Sequence, residues 1–398
     1  MRNALLLRPL LDPTKNLRRL CGRGSISSLP RTAASLMALS CGIVGLPNVG
    51  KSTIFNALTR STALAANYAY ATIEPNVGEV QLPDFRLRVL AEIVHSTKIV
   101  HATTRFVDIA GLPQGASTGA GLGNAFLSHI RESDALAMVL RCYEDGGEHA
   151  EGGLDPVRDA EIVDIEMALA DLASLSKRIE RLGREARVNP KLAPRVEAAD
   201  RLRAALESGR PARRFAAESE ELALAREAFL LTAKPLLYVA NIDEAQIGAP
   251  GPSAQAVFAL AQREESRAIA ICGKVEAELV GLSEDDAATF RTELGIDSSG
   301  LDLLVLNAYD LLGLMTFLTA GEKEVRAWPV ARGAKAPQAA GKIHSDIERG
   351  FIRAEIVAYD DYARLRSMEA LKAAGLVRLE GKDYVMREGD VVNFRFNV

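Results

Sequence analysis

Cysteine is scarce in this chain: Cys21, Cys41, Cys142 and Cys272 stand far apart and form no C-x-x-C pair. That spacing indicates neither a disulfide framework nor a zinc site, and it suits a reducing compartment. Long hydrophobic runs are missing as well. No stretch of eighteen apolar residues occurs, so no transmembrane helix and no membrane partner are expected. Charge of one sign is not in excess, since 48 Lys and Arg face 52 Asp and Glu for a net charge of -4. Any contact with RNA must therefore come from a local patch, because the chain as a whole exerts no attraction on a polyanion. What is present is the composition of an ordinary soluble protein, 48% hydrophobic and 25% charged, over 398 residues that suit two or three domains.

The first 36 residues differ from the rest. Arg2, Arg8, Lys15, Arg18, Arg19, Arg23 and Arg31 oppose the single acid Asp12, with leucines between them and serines towards the end. Arg-rich, Ser-bearing and acid-poor is the composition of an organellar transit peptide, which would send the protein to a mitochondrion or plastid. The alternatives are a disordered basic tail, or an upstream extension of a cytoplasmic protein that begins at Met37.

The densest chemical signal is Gly45-Leu46-Pro47-Asn48-Val49-Gly50-Lys51-Ser52-Thr53, which follows the apolar run Cys41 to Val44 and precedes the helix-like Ile54 to Leu58. A G-x-x-x-x-G-K-[ST] loop between strand and helix binds the phosphates of a nucleoside triphosphate. Its glycines let the backbone wrap closely, and the amides of Asn48 to Thr53 at the helix start direct partial positive charge at the phosphate oxygens. Lys51 would reach the β and γ phosphates, and Ser52 would hold Mg²⁺.

Short apolar strands alternate with helices from Met37 to about Tyr143, with strands expected at Cys41 to Gly45, Thr104 to Ile109 and Ala135 to Cys142. The period then changes. Ile162, Ile165, Leu169, Leu172 and Ile179 mark one amphipathic helix, and Val196, Ala199, Leu202 and Leu206 a second beyond Asn189-Pro190. Dense charge on the other faces predicts an antiparallel coiled-coil hairpin. Lys234-Pro235 opens another buried strand, so the hairpin reads as an insertion. After Leu311 a small mixed domain is expected, with a helix near Arg364 to Ala374 and a closing strand that carries Val392, Phe394, Phe396 and Val398 on one face. The resulting α/β division is 1–36 as extension, 37–154 and 234–312 as the two parts of a P-loop NTPase domain, 155–233 as the helical insertion and 313–398 as the terminal domain.

Two further motifs fall in order. Asp108-Ile109-Ala110-Gly111 places D-x-x-G at a strand end, where Asp108 can reach Mg²⁺ through water and the Gly111 amide can sense the γ phosphate. Asn241-Ile242-Asp243-Glu244 follows a later strand. A guanine-specific site uses N-K-x-D there, whose Asp accepts two hydrogen bonds from the base. Ile242 and Glu244 replace its Lys and Asp, so ATP is expected in preference to GTP, with backbone groups around Asn241 and Ile242 reading adenine. Asn241 could instead serve the core or a cap.

With these motifs, Thr72-Ile73-Glu74-Pro75-Asn76-Val77-Gly78, Gly121-Leu122-Gly123-Asn124 and Ala336 to His344, the stretch from Met37 to Val398 resembles the Obg-like ATPase family, YchF in bacteria. The resemblance implies a G domain with a coiled-coil insertion, a C-terminal TGS domain of ubiquitin-like fold, ATP hydrolysis, and association with ribosomes or their large subunit, with RNA contact through hairpin and TGS domain. Carried over by position, Thr72 would complete the Mg²⁺ shell with Ser52, and Ile242 would lie at the base. Cys272-Gly273-Lys274 departs from the family's S-A-K turn. Family members carry a histidine in the loop after Cys142, and His149 is the candidate, either orienting water or simply solvated.

Ras-like enzymes place a Gln after D-x-x-G, but Leu112 stands here and cannot hold water. Slow turnover is expected, with His149, backbone or a partner supplying the missing group beside Lys51. Three functions follow: a ribosome-associated switch, a small-molecule kinase, which lacks a lid of clustered arginines, and a nucleotide-gated stress regulator that binds proteins.

Overall fold

The computed structural model describes residues 39–65, 76–109, 111, 121–144, 153–295 and 299–397. Among the described residues, seven strands come from the first two thirds of the chain: β1 (Ser40–Val44), β2 (Val77–Gln81), β3 (Ile99–Val100), β4 (Thr103–Asp108), β5 (Ala135–Arg141), β6 (Leu236–Asn241) and β7 (Arg267–Ile271). Six of them form one sheet in the order β2-β4-β1-β5-β6-β7, parallel throughout except for the antiparallel edge β2. Every residue of β1, β5 and β6 is buried. Their largely apolar runs are those of central strands covered on both faces, whereas the edge strands β2 and β7 are mostly only partly buried.

The chain leaves this sheet after β5 and returns at β6, its immediate neighbour, with Leu136 opposite Leu236. Between them lies the helical insertion. Asp155 caps a helix over Pro156–Val188, its side chain accepting from the Arg158 amide, and Pro156 fits the first turn, where its missing N–H costs nothing. Asn189 then accepts from the Lys191 amide at 3.3 Å and turns the chain into the returning helix Ala193–Glu207. The second helix packs through Ala199, Leu202 and Leu206 as its period predicts. The first keeps its expected register only in part, with Ile162, Leu172 and Ile179 half-buried against the apolar clusters. Ile165 and Leu169 are exposed, and the fully buried positions include Val163, Met167, Leu175 and Leu182, because the base of this helix must also cover the sheet that holds β5 and β6.

The C-terminal part forms an α+β unit of ubiquitin-like type: β8 (Leu314–Ala320), β9 (Val325–Ala331), β10 (Phe351–Ala358), β11 (Arg378–Glu380) and β12 (Asp390–Phe396), with a helix over Ala336–Ile343. Its order is β11-β10-β12-β8-β9-β3, with β8 and β12 parallel at the centre. Phe394 packs edge-on against Phe317 and Phe351, while Phe396 is exposed and Val398 lies outside the described residues. The single helix expected near Arg364 to Ala374 is two, Tyr359–Leu365 and Met368–Ala373. Arg366 turns left-handed at φ 52°, and the Ser367 hydroxyl caps the second piece.

β3 belongs to the first domain by chain order yet extends the C-terminal sheet, pairing parallel with β9. The link from β2 to β4 thus carries a strand of the other domain. Leu318, Val325, Val357 and Val391 of the C-terminal unit share one apolar cluster with Leu87 and Leu90 of that link and with the sheet of the first domain.

Candidate functional site

The phosphate loop leaves the carboxyl end of β1 at Val44 and enters the helix Lys51–Ala65. Gly45 sits at φ 148°, and a Cβ there would stand 2.5 Å from the Val139 carbonyl oxygen, so only glycine fits. Asn48 at φ 62° and Gly50 at φ 92° make the tight wrap, the first tolerated because a short amide side chain suits the left-handed region. A Cβ on Gly50 would collide with the Asn241 amide. Val49 is buried, while Ser52 and Thr53 are exposed in the first helical turn.

Lys51 is 6% exposed and donates to the Leu46 carbonyl at 2.6 Å, so its ammonium lies across the mouth of the loop. Burial pushes its pKa down to about 8 against the pull of Asp108. Gly111 closes the same space, since a Cβ there would come 3.2 Å from Lys51 Nζ and 3.1 Å from Pro47. The Ser52 hydroxyl donates to Asp108 Oδ2 at 3.0 Å, joining the helix start to the end of β4. Asp108 Oδ1 is buried without a partner. Burial raises the Asp108 pKa, and the Ser52 hydrogen bond and Lys51 charge lower it. An unpaired carboxylate oxygen beside a serine hydroxyl fits a divalent cation held partly by substrate phosphates, as Mg²⁺ prefers. Among the described residues no group of three or more His, Cys, Asp or Glu could hold a metal by itself.

Asn241 ends β6 beneath this loop, 5% exposed. Its Nδ2 donates to the Val49 carbonyl at 2.9 Å, and its Oδ1 accepts from the Gly273 amide at 3.0 Å, so one amide ties the phosphate loop to the Cys272-Gly273 turn. The Ile242 amide donates to the Ile271 carbonyl at 2.9 Å, and the Asn241 carbonyl accepts from Cys142 at 2.8 Å. This narrows one expectation: of the backbone groups around Asn241 and Ile242, the Ile242 N–H is spent on the neighbouring strand and is not free to read a base. The cause is that β6 is flanked on both sides. Glu244 is exposed, its amide held by Asp243 Oδ1 at 2.7 Å. Thr72, Leu112 and His149 lie outside the described residues.

Tyr143 is a residue that no motif names. Its hydroxyl donates to the Asn48 carbonyl at 3.3 Å. Arg141, buried in the last position of β5, donates Nε to the Tyr143 carbonyl at 3.2 Å and lies 4.9 Å from the ring centroid. The one signal available was position, since both sit at the carboxyl end of a central parallel strand, where open α/β sheets bind ligands.

A glycine loop between a buried parallel strand and a helix, a lysine across its mouth and a serine–aspartate pair beside it define a P-loop nucleotide-binding protein of GTPase-type fold. Family models agree. The model described as 50S ribosome-binding GTPase matches residues 40–187, and YchF-GTPase_C, described as a protein of unknown function (DUF933), matches 314–397. The Ribosome-binding ATPase YchF of Bacillus subtilis (strain 168) is 48% identical over 366 residues, 91% of this chain and 100% of that protein. Its namesake from Escherichia coli O157:H7 is 44% identical over 364 residues with the same coverage of both chains. The solved Schizosaccharomyces pombe YchF GTPase superposes with a TM-score of 0.82 at 35% identity, covering 90% of this chain and 98% of that one. The chain belongs to the YchF family.

Proposed function

We propose that the protein is a Mg²⁺-dependent ATPase that works as a slow, ribosome-associated switch. The observation that carries this reading is the cluster of Lys51, Ser52 and Asp108 around the phosphate loop, with an aspartate oxygen left for a cation. Ser52 and Asp108, with Thr72, would hold Mg²⁺, which neutralises charge on the transferred phosphoryl group when bound. Lys51 supplies a second positive charge, and the amides of Asn48 to Thr53 complete the cradle. Support for ATP over GTP comes from Glu244 and Ile242 in place of the guanine-reading pair, and from the ATPase named in the bacterial relatives. Support for a ribosomal partner comes from the same names, and the hairpin and C-terminal unit offer its surfaces.

Support for the switch reading comes from chain order and strand pairing. β2 follows the segment that holds Thr72, β4 ends at Asp108, and the link between them is built into the C-terminal sheet through β3. Movement of these strands with nucleotide state would therefore reach the C-terminal unit. Titration with labelled ATP and GTP tests nucleotide choice, and equal or tighter GTP binding would sink the adenine argument. Co-sedimentation with ribosomes, with and without ATP, tests the partner, and absence from the pellet in both would favour a nucleotide-gated protein binder instead. Chelating Mg²⁺ should abolish turnover. His149→Ala should slow single-turnover hydrolysis with ATP affinity nearly unchanged, as expected of a group acting only in the transition state. An unchanged rate would discard His149. We read residues 1–36 as a transit peptide, and their failure to carry a fluorescent protein into a mitochondrion or plastid would leave a cytoplasmic protein.

A further inference from the structure

The phosphate loop makes a demand that its own residues meet only in part. In a trans peptide the carbonyl of one residue and the N–H of the next point in opposite directions. For the amides of Val49, Gly50 and Lys51 to face a phosphate, the carbonyls of Asn48, Val49 and Gly50 must turn away and find donors of their own. The Gly50 carbonyl accepts from the Ile54 amide at 3.1 Å, which is ordinary helix geometry. The Val49 carbonyl accepts from Asn241 at 2.9 Å. The Asn48 carbonyl accepts from the Tyr143 hydroxyl, 95 residues away in sequence.

Tyr143 is itself held. Arg141, 3% exposed, fixes its carbonyl through Nε and covers its ring. The hydroxyl also lies within van der Waals reach of the tightest point of the loop, 3.9 Å from where a Cβ on Gly50 would stand. A phenol that merely filled space would not need a buried arginine under its ring or an acceptor on the loop.

We propose that Tyr143 is a positioning residue of the phosphate loop, which keeps the Asn48 carbonyl turned out and so aims the Val49 amide at the phosphates of a bound nucleoside diphosphate or triphosphate. It acts through the backbone and touches no reacting atom. This role deepens the ATPase reading above and rests on it.

Tyr143→Phe removes a single oxygen and is the test. Binding of MgATP and MgADP, steady-state turnover and thermal midpoint are measured on the full chain. Loss of one net hydrogen bond should raise both dissociation constants about three- to tenfold. kcat at saturating MgATP should stay within about twofold while kcat/KM falls with the affinity, the mark of an interaction made equally in ground and transition states. The midpoint should move by no more than about 2 °C, as for a half-buried surface substitution. Unchanged dissociation constants in Tyr143→Phe would overturn the role. So would a fall in midpoint of several degrees with affinity preserved for the folded fraction, which marks a packing residue. If the wild-type protein bound neither MgATP nor MgGTP, the functional reading itself would fall, and this role with it.

Discussion

The hairpin and the C-terminal unit are fastened to the same sheet by different means and at different ends. At the root of the hairpin, Asp171 is 1% exposed and accepts from the amides of Leu231 and Thr232, both at 2.8 Å, and from the Thr232 hydroxyl at 2.7 Å. Arg213 reaches Asp164 at 2.6 Å and Glu264 at 3.3 Å, and Tyr238 of β6 donates to Glu264 at 2.7 Å. These bonds lead into β6, whose far end carries Asn241. The C-terminal unit is joined through the link between β2 and β4. Arg86 pairs with Asp84 through two bonds of 2.8 and 2.7 Å and with Glu388 at 2.7 Å, while Glu388 also accepts from the Thr316 amide at 2.8 Å. The Val325 amide donates to the Lys98 carbonyl at 2.9 Å, and Phe85 meets Tyr359 edge-on. One appendage is rooted beside strands that hold the phosphate loop in place. The other is rooted on the strands that lead to Asp108 and away from Thr72.

The largest effect is expected at Arg86. Burial works against its charge, but Asp84 and Glu388 outweigh that and hold its pKa up. Arg86→Ala would leave the Asp84 carboxylate buried without its cation, keeping, of its bonds to residue 86, only that to the backbone amide, at a cost of about 3–5 kcal/mol. Unfolding followed by the fluorescence of Trp328, the chain's one tryptophan and a residue of β9, reads this directly. A loss under about 1 kcal/mol would mean the joint does not depend on this cation.

Asp171→Ala should cost somewhat less, about 2–4 kcal/mol, because two amides and a hydroxyl lose their acceptor but no isolated charge remains. Asp171→Asn keeps one acceptor oxygen and should cost about half as much. Equal losses in the two variants would show that the site measures packing rather than hydrogen bonding. Lys98→Ala marks the low end. Lys98 meets Glu324 at 2.5 Å, but its side chain is 57% exposed, so the variant should lose less than about 1 kcal/mol and less still in high salt. The β3–β9 pairing is carried by backbone and should survive it.

Short-range patterns were readable in the residues themselves. Gly45 and Gly50 are spaced by the wrap they make, the runs of β1, β5 and β6 are apolar because both faces are covered, and Asn189-Pro190 stops one helix and starts another. The joint was not readable. Ile99 and Val100 are too few to show a strand period, and Arg86 finds Glu388 across the chain through folding alone. Tyr143 was missed for the same reason, since its partner Asn48 is distant in sequence. The hairpin register went astray at Ile165 and Leu169 because a period of 3.6 gives the width of an apolar face but not which neighbour it must cover. Similarly, residues alone do not show that the Ile242 amide is taken up by the Ile271 carbonyl of a neighbouring strand.

If β2 and β4 move with nucleotide state, the change should be felt at the C-terminal joint and not at the hairpin root. Amide hydrogen exchange of the full chain with MgATP, with MgADP and without nucleotide tests it most directly. Protection of residues 98–100 and 325–327 should change between these states while that of the Leu231 and Thr232 amides does not. Equal change at both places, or change at the hairpin root alone, would contradict it.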